Sequence, residues 1–196
     1  MSIKSRPRYS ELELDIKSKR HIVVCDKNGA AAAQRMLRTS NVAAANTTVL
    51  VIGPGADKEE AGAFESMGCD VVMASPTIEA AMFRLDQVFA KATMGTRIYV
   101  AGIEGLIGQT VALAQRYGVK PMSVRQQHCG SLKRRVQCVH CKGVTEDVTT
   151  QIVTCAHCGV PLFVRDHFSR RLGAFMGVSA DAEEAGVLPP IEEVFR

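Results

Sequence analysis

Four cysteines stand as two near-identical knuckles, CVHC at Cys138 to Cys141 and CAHCG at Cys155 to Gly159. Two thiolates on each tight turn make a tetrahedral donor set, and zinc is the first expectation for the ion it holds. The thirteen residues between the pairs, KGVTEDVTTQIVT, are rich in β-branched types, and Val148 to Val153 is predicted as the strand that returns the chain to the metal. This is the pattern of a zinc ribbon. Gly159 follows the last ligand, where a positive φ turns backbone N–H groups toward the sulfurs. Four filled positions leave no opening for water or substrate, so such a metal folds the ribbon and performs no chemistry itself. An iron of rubredoxin type shares the short-range pattern, and ligand softness does not separate the two. His140 and His157 lie inside the knuckles and are read as exposed turn positions, since four thiols are already available.

A second cluster follows the ribbon, in VRDHFSRR. Asp166, His167 and Ser169 invite comparison with a catalytic triad, but neighbours on an extended chain point to opposite faces, so Asp166 cannot orient His167. A recognition segment fits better: Arg165, Arg170 and Arg171 offer forked donors for carboxylates, His167 lies among them, and Phe168 and Phe175 supply apolar anchors. Phe175 fits a small core equally well. Cys129 is a spare ligand, a redox thiol or, most commonly for such a residue, an inert buried thiol, while Cys25 and Cys69 fall in predicted strands. There is no convincing carboxylate pair, HExxH helix or nucleophile elbow, so no catalytic residue is assigned.

The elements that must carry these groups follow from composition and periodicity. A chain of 196 residues, 46% hydrophobic, supports one full core and an appended module. The runs His21 to Cys25, Thr48 to Ile52, Cys69 to Met73 and Arg97 to Ala101 are short and apolar, as strands buried on both faces are. Between them Ala30 to Leu37, Lys58 to Met67, Thr77 to Lys91 and Gly105 to Tyr117 have apolar residues at helical spacing, and Pro121 to Val124 is predicted as a fifth strand. The fold class is therefore α/β, a parallel sheet with helices on both faces, plus a small C-terminal zinc ribbon. The expected divisions are an N-terminal arm over 1–20, a Rossmann-like domain over 21–131, the ribbon over 132–165, and a docking segment and tail over 166–196. Lys133, Arg134 and Arg135 form a basic entrance to the ribbon, and the tail is acidic. Seven cysteines with four in a metal pattern, no signal-like apolar run and no membrane-length stretch point to a soluble protein of the reducing cytoplasm.

The order HIVVCDKNGAAAAQRMLR, TTVLVIGPG, GCDVVMASP, GTRIYVAGIEGLIGQTVALAQRYGV resembles the nucleotide-binding module of the ferredoxin reductase superfamily. That family has a glycine-rich first turn and a Cys-Gly-Pro motif after the fourth strand. This chain keeps only Gly29 in CDKNGA and has Ala101 and Ile103 where the cysteine and proline would stand. Asp26 sets a negative charge beside the place a pyrophosphate would take, with Lys27 as its one neighbouring offset, so a scaffold that binds little NADPH is expected. SIKSRPRY at Ser2 to Tyr9, the twin knuckles and LFVRDHFSRRLGAFMGV at Leu162 to Val178 together resemble the small subunit of bacterial dimethylamine monooxygenase, a relative of the haem-dependent oxidative N-demethylases. The resemblance implies haem in a different subunit, a separate flavin (FMN) and iron–sulfur reductase fed by NADPH, and conversion of dimethylamine with O2 to methylamine and formaldehyde.

Three classes follow: a non-catalytic but required subunit of such a complex, an autonomous nucleotide-dependent reductase, and a nucleic-acid-binding ribbon. The absence of Trp and the scarcity of aromatic residues near the ribbon's basic entrance count against the third, and the thinned glycine turn counts against the second.

Overall fold

The computed structural model describes residues 5–39, 41–56 and 59–196, with 41 and 42 in backbone only. Ser2, Ile3 and Lys4 of the N-terminal motif, and Lys58 of an expected helix, lie outside the described residues. The chain divides into two units, one of residues 9–130 and one joining the residues up to Arg8 with residues 131–196.

The first unit alternates β1 (Arg20–Asp26), α1 (Ala30–Leu37), α2 (Asn41–Ala44), β2 (Thr47–Ile52), α3 (Glu60–Ser66), β3 (Val71–Ser75), α4 (Ile78–Ala90), β4 (Thr96–Gly102), α5 (Glu104–Arg116) and β5 (Val124–His128). The strands form one parallel sheet in the order β3-β2-β1-β4-β5. Continuous apolar runs make sense here because both faces are covered. Val23 and Cys25 of β1 join Val49, Val51 and Tyr99 in a core with α1 and with Phe64 of α3. Ile22 and Val24 join Leu50, Ile98 and Val100 in a second core with Leu85 of α4 and Ile107 of α5. The strand order reverses direction between β1 and β4, which places a topological switch point at their carboxyl ends.

Two expected strands are displaced, each for a backbone reason. Pro121–Ser123 is a 3-10 turn and the fifth strand starts at Val124, since proline has no N–H for a ladder. Gly68, at φ 77, caps α3, and the Cys69 N–H is spent on the Phe64 carbonyl at 3.3 Å, so β3 starts at Val71 and Cys69 lies outside it. The arm is not free in this unit. Ser10 donates its N–H to the Gln126 carbonyl, Leu12 is buried and donates to Gln127 Oε1, and Asp15 pairs with Arg97 while its N–H reaches the Tyr99 hydroxyl at 3.0 Å.

The second unit is a sheet of β6 (Arg134–Cys138), β7 (Val144–Val148), β8 (Ile152–Thr154), β9 (Pro161–Ser169) and β10 (Ala174–Ser179), in the order β7-β6-β10-β9-β8. The strand expected over Val148 to Val153 is broken. The Thr149 carbonyl accepts the N–H groups of Val194 and Phe195, at 2.9 and 2.8 Å, and the Gln151 N–H goes to the Glu192 carbonyl. The chain's last residues thus take the backbone groups a continuous strand would have used. A boundary expected between 165 and 166 also falls inside β9, which is one unbroken strand.

Candidate metal centre and switch-point crevice

The two knuckles repeat one backbone design. In the first, the Cys138 N–H donates to the Gly143 carbonyl and the Lys142 N–H to the Cys138 carbonyl; in the second, Cys155 donates to Val160 and Gly159 to Cys155. The residue after the second cysteine of each pair has a left-handed backbone, φ 65 at Lys142 and φ 74 at Gly159. The knuckles interlock through the Ala156 N–H on Thr145 Oγ1, at 3.1 Å, and through His157 Nε2, 2.9 Å from the Val144 carbonyl. A Cβ on Gly143 would collide with the His157 ring, so glycine is required there for the close approach.

This places four sulfurs within 4.8 Å of one another. Metal–sulfur bonds of about 2.3 Å give a regular tetrahedron edges of about 3.8 Å. Two opposite edges measure 3.8 Å, Cys138 to Cys158, and 3.7 Å, Cys141 to Cys155. A disulfide would need about 2.05 Å, and all four cysteines are free thiols. The donor set therefore fits a thiophilic ion with four protein ligands. The Gly143 N–H also points at Cys141 Sγ, at 3.4 Å, as donors around a thiolate do. Burial raises the Cys155 thiol, but N–H donors from Cys158 and His157 and the neighbouring thiols outweigh it and bring it to about 6. Cys158 is eased downward by the Val160 N–H, yet burial and the three neighbouring thiols push it up to about 12. Thiolates crowded this closely favour a cation among them. His140 and His157 are exposed and outside the four-sulfur cluster.

Behind the centre lies a small core. Cys138 and Cys155 are buried with Val136, Val148, Leu162, Val164, Phe175 and Phe195. Arg134, part of the basic entrance expected from sequence, is 3% exposed. Its guanidinium lies between the Phe175 and Phe195 rings, 3.9 and 3.8 Å from their centroids, and donates to Asp166 Oδ1 at 2.8 Å. Arg135 is also engaged, with Glu146 at 2.7 Å and the Leu172 carbonyl at 2.8 Å.

The expected recognition segment separates by strand alternation. Arg165 and His167 are exposed on one face of β9, and Arg170 and Arg171 are exposed at the β9–β10 turn. Phe175, one of the expected anchors, is instead a core residue, 1% exposed, and Phe168 packs edge-on against it with centroids 5.0 Å apart. Phe163, which the sequence reading omitted, is 39% exposed on the Arg165 face. Period-two alternation along LFVRDHF was the signal that could have found it.

At the switch point Asp26, the last residue of β1, is 9% exposed. Its Oδ1 accepts the Gly29 N–H at 2.9 Å and its Oδ2 the Ile103 N–H at 2.8 Å, so one carboxylate bridges the residues that open α1 and α5. Burial raises its pKa above the ordinary carboxylate value, and the donors from Ile103, Gly29 and Asn28 pull the other way. Gly29 has a packing role: a Cβ there would collide with the Ala101 carbonyl of β4.

Solved structures with some likeness to the chain include a ferredoxin reductase of carbazole 1,9a-dioxygenase (14% identity, 60% of this chain and 35% of that one, TM-score 0.44). Another is the flavohem-like FAD/NAD binding domain of nitric oxide dioxygenase from Vibrio cholerae O1 biovar El Tor (15%, 63% and 56%, TM-score 0.44). The heme-dependent oxidative N-demethylase delta subunit of Ectopseudomonas mendocina (strain ymp) is 34% identical over 116 residues, 58% of this chain and 66% of that relative, so the match spans just under two thirds of that protein. The family described as dimethylamine monooxygenase subunit DmmA-like matches through its N-terminal domain over residues 1–124 and its C-terminal domain over residues 135–178. With both domains matched in order, and with the four-cysteine ribbon in the second of them, the chain belongs to the dimethylamine monooxygenase subunit DmmA-like family.

Proposed function

We propose that this chain is a non-catalytic, structural or assembly subunit of a cytoplasmic haem-dependent monooxygenase that demethylates dimethylamine, and that Cys138, Cys141, Cys155 and Cys158 hold one structural zinc ion. The observation that carries the reading is the family match over both domains, supported by an N-demethylase subunit as relative. The overall reaction balances as dimethylamine, O2, NADPH and a proton giving methylamine, formaldehyde, NADP+ and water. Its haem belongs to a partner monooxygenase subunit, and its FMN and iron–sulfur cluster to a partner reductase.

Four thiolates complete a tetrahedron and leave no position for substrate, which supports a structural role for the metal. Zinc suits four crowded thiolates because it has no redox change and accepts their geometry without strain. Arg165, His167, Arg170 and Arg171, exposed together with Phe163, are the residues of this unit best suited to grip a partner with surface carboxylates. Reconstitution tests the reading. The haem and reductase subunits should release formaldehyde from dimethylamine at full rate only when this chain is added, and undiminished NADPH-dependent release without it would refute the role.

A further inference from the structure

We infer that the crevice at the topological switch point is a fitted anion site whose permanent occupant is the chain's own Asp26, so that phosphate-bearing ligands are excluded from it. In open α/β sheets the carboxyl ends of the two strands flanking the reversal are where a ligand is received, and helix N-termini there favour negative charge. In this chain those strands are β1 and β4. The charge is already present. Asp26 takes the N–H of Gly29 on one oxygen and the N–H of Ile103, 77 residues away, on the other.

The surrounding chain is shaped to admit that carboxylate. Gly102 has φ 150, and a Cβ on it would collide with both Asp26 oxygens, so the space a side chain would need is given over to the carboxyl group. The segment after β5 packs closely against the same two turns. After β5, the Cys129 N–H donates to the Gly102 carbonyl at 2.9 Å, and Gly130, at φ 92, lies so close to Asn28 of the β1–α1 turn that a Cβ would stand 2.8 Å from its Cγ. On the β4–β5 side, the Tyr9 hydroxyl donates to Glu104 Oε1 at 3.1 Å, in the first turn of α5, and its ring lies 5.6 Å from that of His128. An arriving phosphate would thus meet a resident carboxylate whose oxygens already hold the Gly29 and Ile103 N–H donors. Repulsion and lost hydrogen bonds both oppose it.

The inference is independent of the assembly reading, because its test uses the full chain alone. Asp26→Ala removes one carboxylate and leaves room for one formate. The expected result is saturable movement of the Gly29 and Ile103 amide resonances on formate titration of the variant, with a rise in Tm, and neither effect in the parent chain. NADPH and inorganic phosphate should leave those two amides of the parent chain unmoved. Saturable shifts of the same amides by NADPH in the parent chain would overturn the inference, as would a folded Asp26→Ala chain that ignores formate. If that variant fails to fold, Asp26→Asn serves: hydrogen exchange at Gly29 or Ile103 should accelerate at least tenfold relative to the β1 amides, and unchanged exchange would show that the charge is not what holds the two turns.

Discussion

Removing the metal from the four-cysteine centre should unfold the ribbon unit and leave the α/β unit folded. The size of the effect follows from what else supports each unit. The ribbon's core consists of Val136, Val148, Leu162, Val164, Phe175 and Phe195 around Cys138 and Cys155 of the candidate centre. A unit of that size, below about 70–80 residues, draws no more than about 3–5 kcal/mol from its core. A structural zinc site contributes about 10–16 kcal/mol at neutral pH. Loss of the ion therefore outweighs the core by roughly a factor of three, and the four sulfurs, 3.7 and 3.8 Å apart along two edges, are left without the charge that reconciled them. The α/β unit has two cores of its own, one on each face of the sheet, and none of its described residues belongs to the four-cysteine cluster. The assay is a chelator titration followed by amide spectra, with released zinc measured colorimetrically at about one ion per chain. Amides of Val136, Leu162 and Phe175 should collapse toward unfolded positions as zinc appears, while those of Val23 and Val100 stay in place. Dispersed, exchange-protected ribbon amides in the metal-free chain would refute the reasoning, and visible thiolate charge-transfer bands with iron in place of zinc would refute the choice of ion.

Phe195→Ala should destabilise the ribbon unit by about 3–5 kcal/mol in urea unfolding, since it empties a buried site and removes one face of the Arg134 stack. Gly29→Ala should cost about 3 kcal/mol or more, because its Cβ meets the β4 backbone and not a side chain that could yield; a variant within 0.5 kcal/mol of the parent, a change of roughly the size of ordinary surface substitutions, would contradict the packing role. Asp15 is held below its ordinary pKa by hydrogen bonding to Arg97. Its contribution is therefore present above the unfolded value of 3.8 and lost as pH falls through the lower folded value. Asp15→Asn should cost about 1.5–3 kcal/mol at pH 7, with the gap to the parent closing in acid, as unfolding curves at a series of pH values would record. Arg165→Glu combined with Arg170→Glu should weaken co-elution with the haem and reductase subunits at unchanged metal content, and full-stoichiometry complexes would remove this face from the interface.

The sequence by itself determined what depends on short spacing and local periodicity. Two C-x-x-C pairs mark four candidate ligands because a tight turn brings each pair of thiols together whatever the rest of the chain does. Short apolar runs alternating with helical stretches define a parallel sheet because strands covered on both faces have no polar side to show. Tertiary structure decided which distant groups satisfy one another. Asp26 was legible as an unfavourable charge for a phosphate, but its bond to the Ile103 N–H exists only because β1 and β4 are neighbours in the sheet. Arg134 was legible only as one of three basic residues entering the ribbon, and the fold brings Phe195 over its guanidinium. The break after β7 is likewise set by the backbone of residues 192–195, and Phe175 is withdrawn from the surface by the parallel pairing of β10 with β6. Buried hydrogen bonds and charges must find partners, and where the nearest partner lies far along the chain only the packed fold can name it.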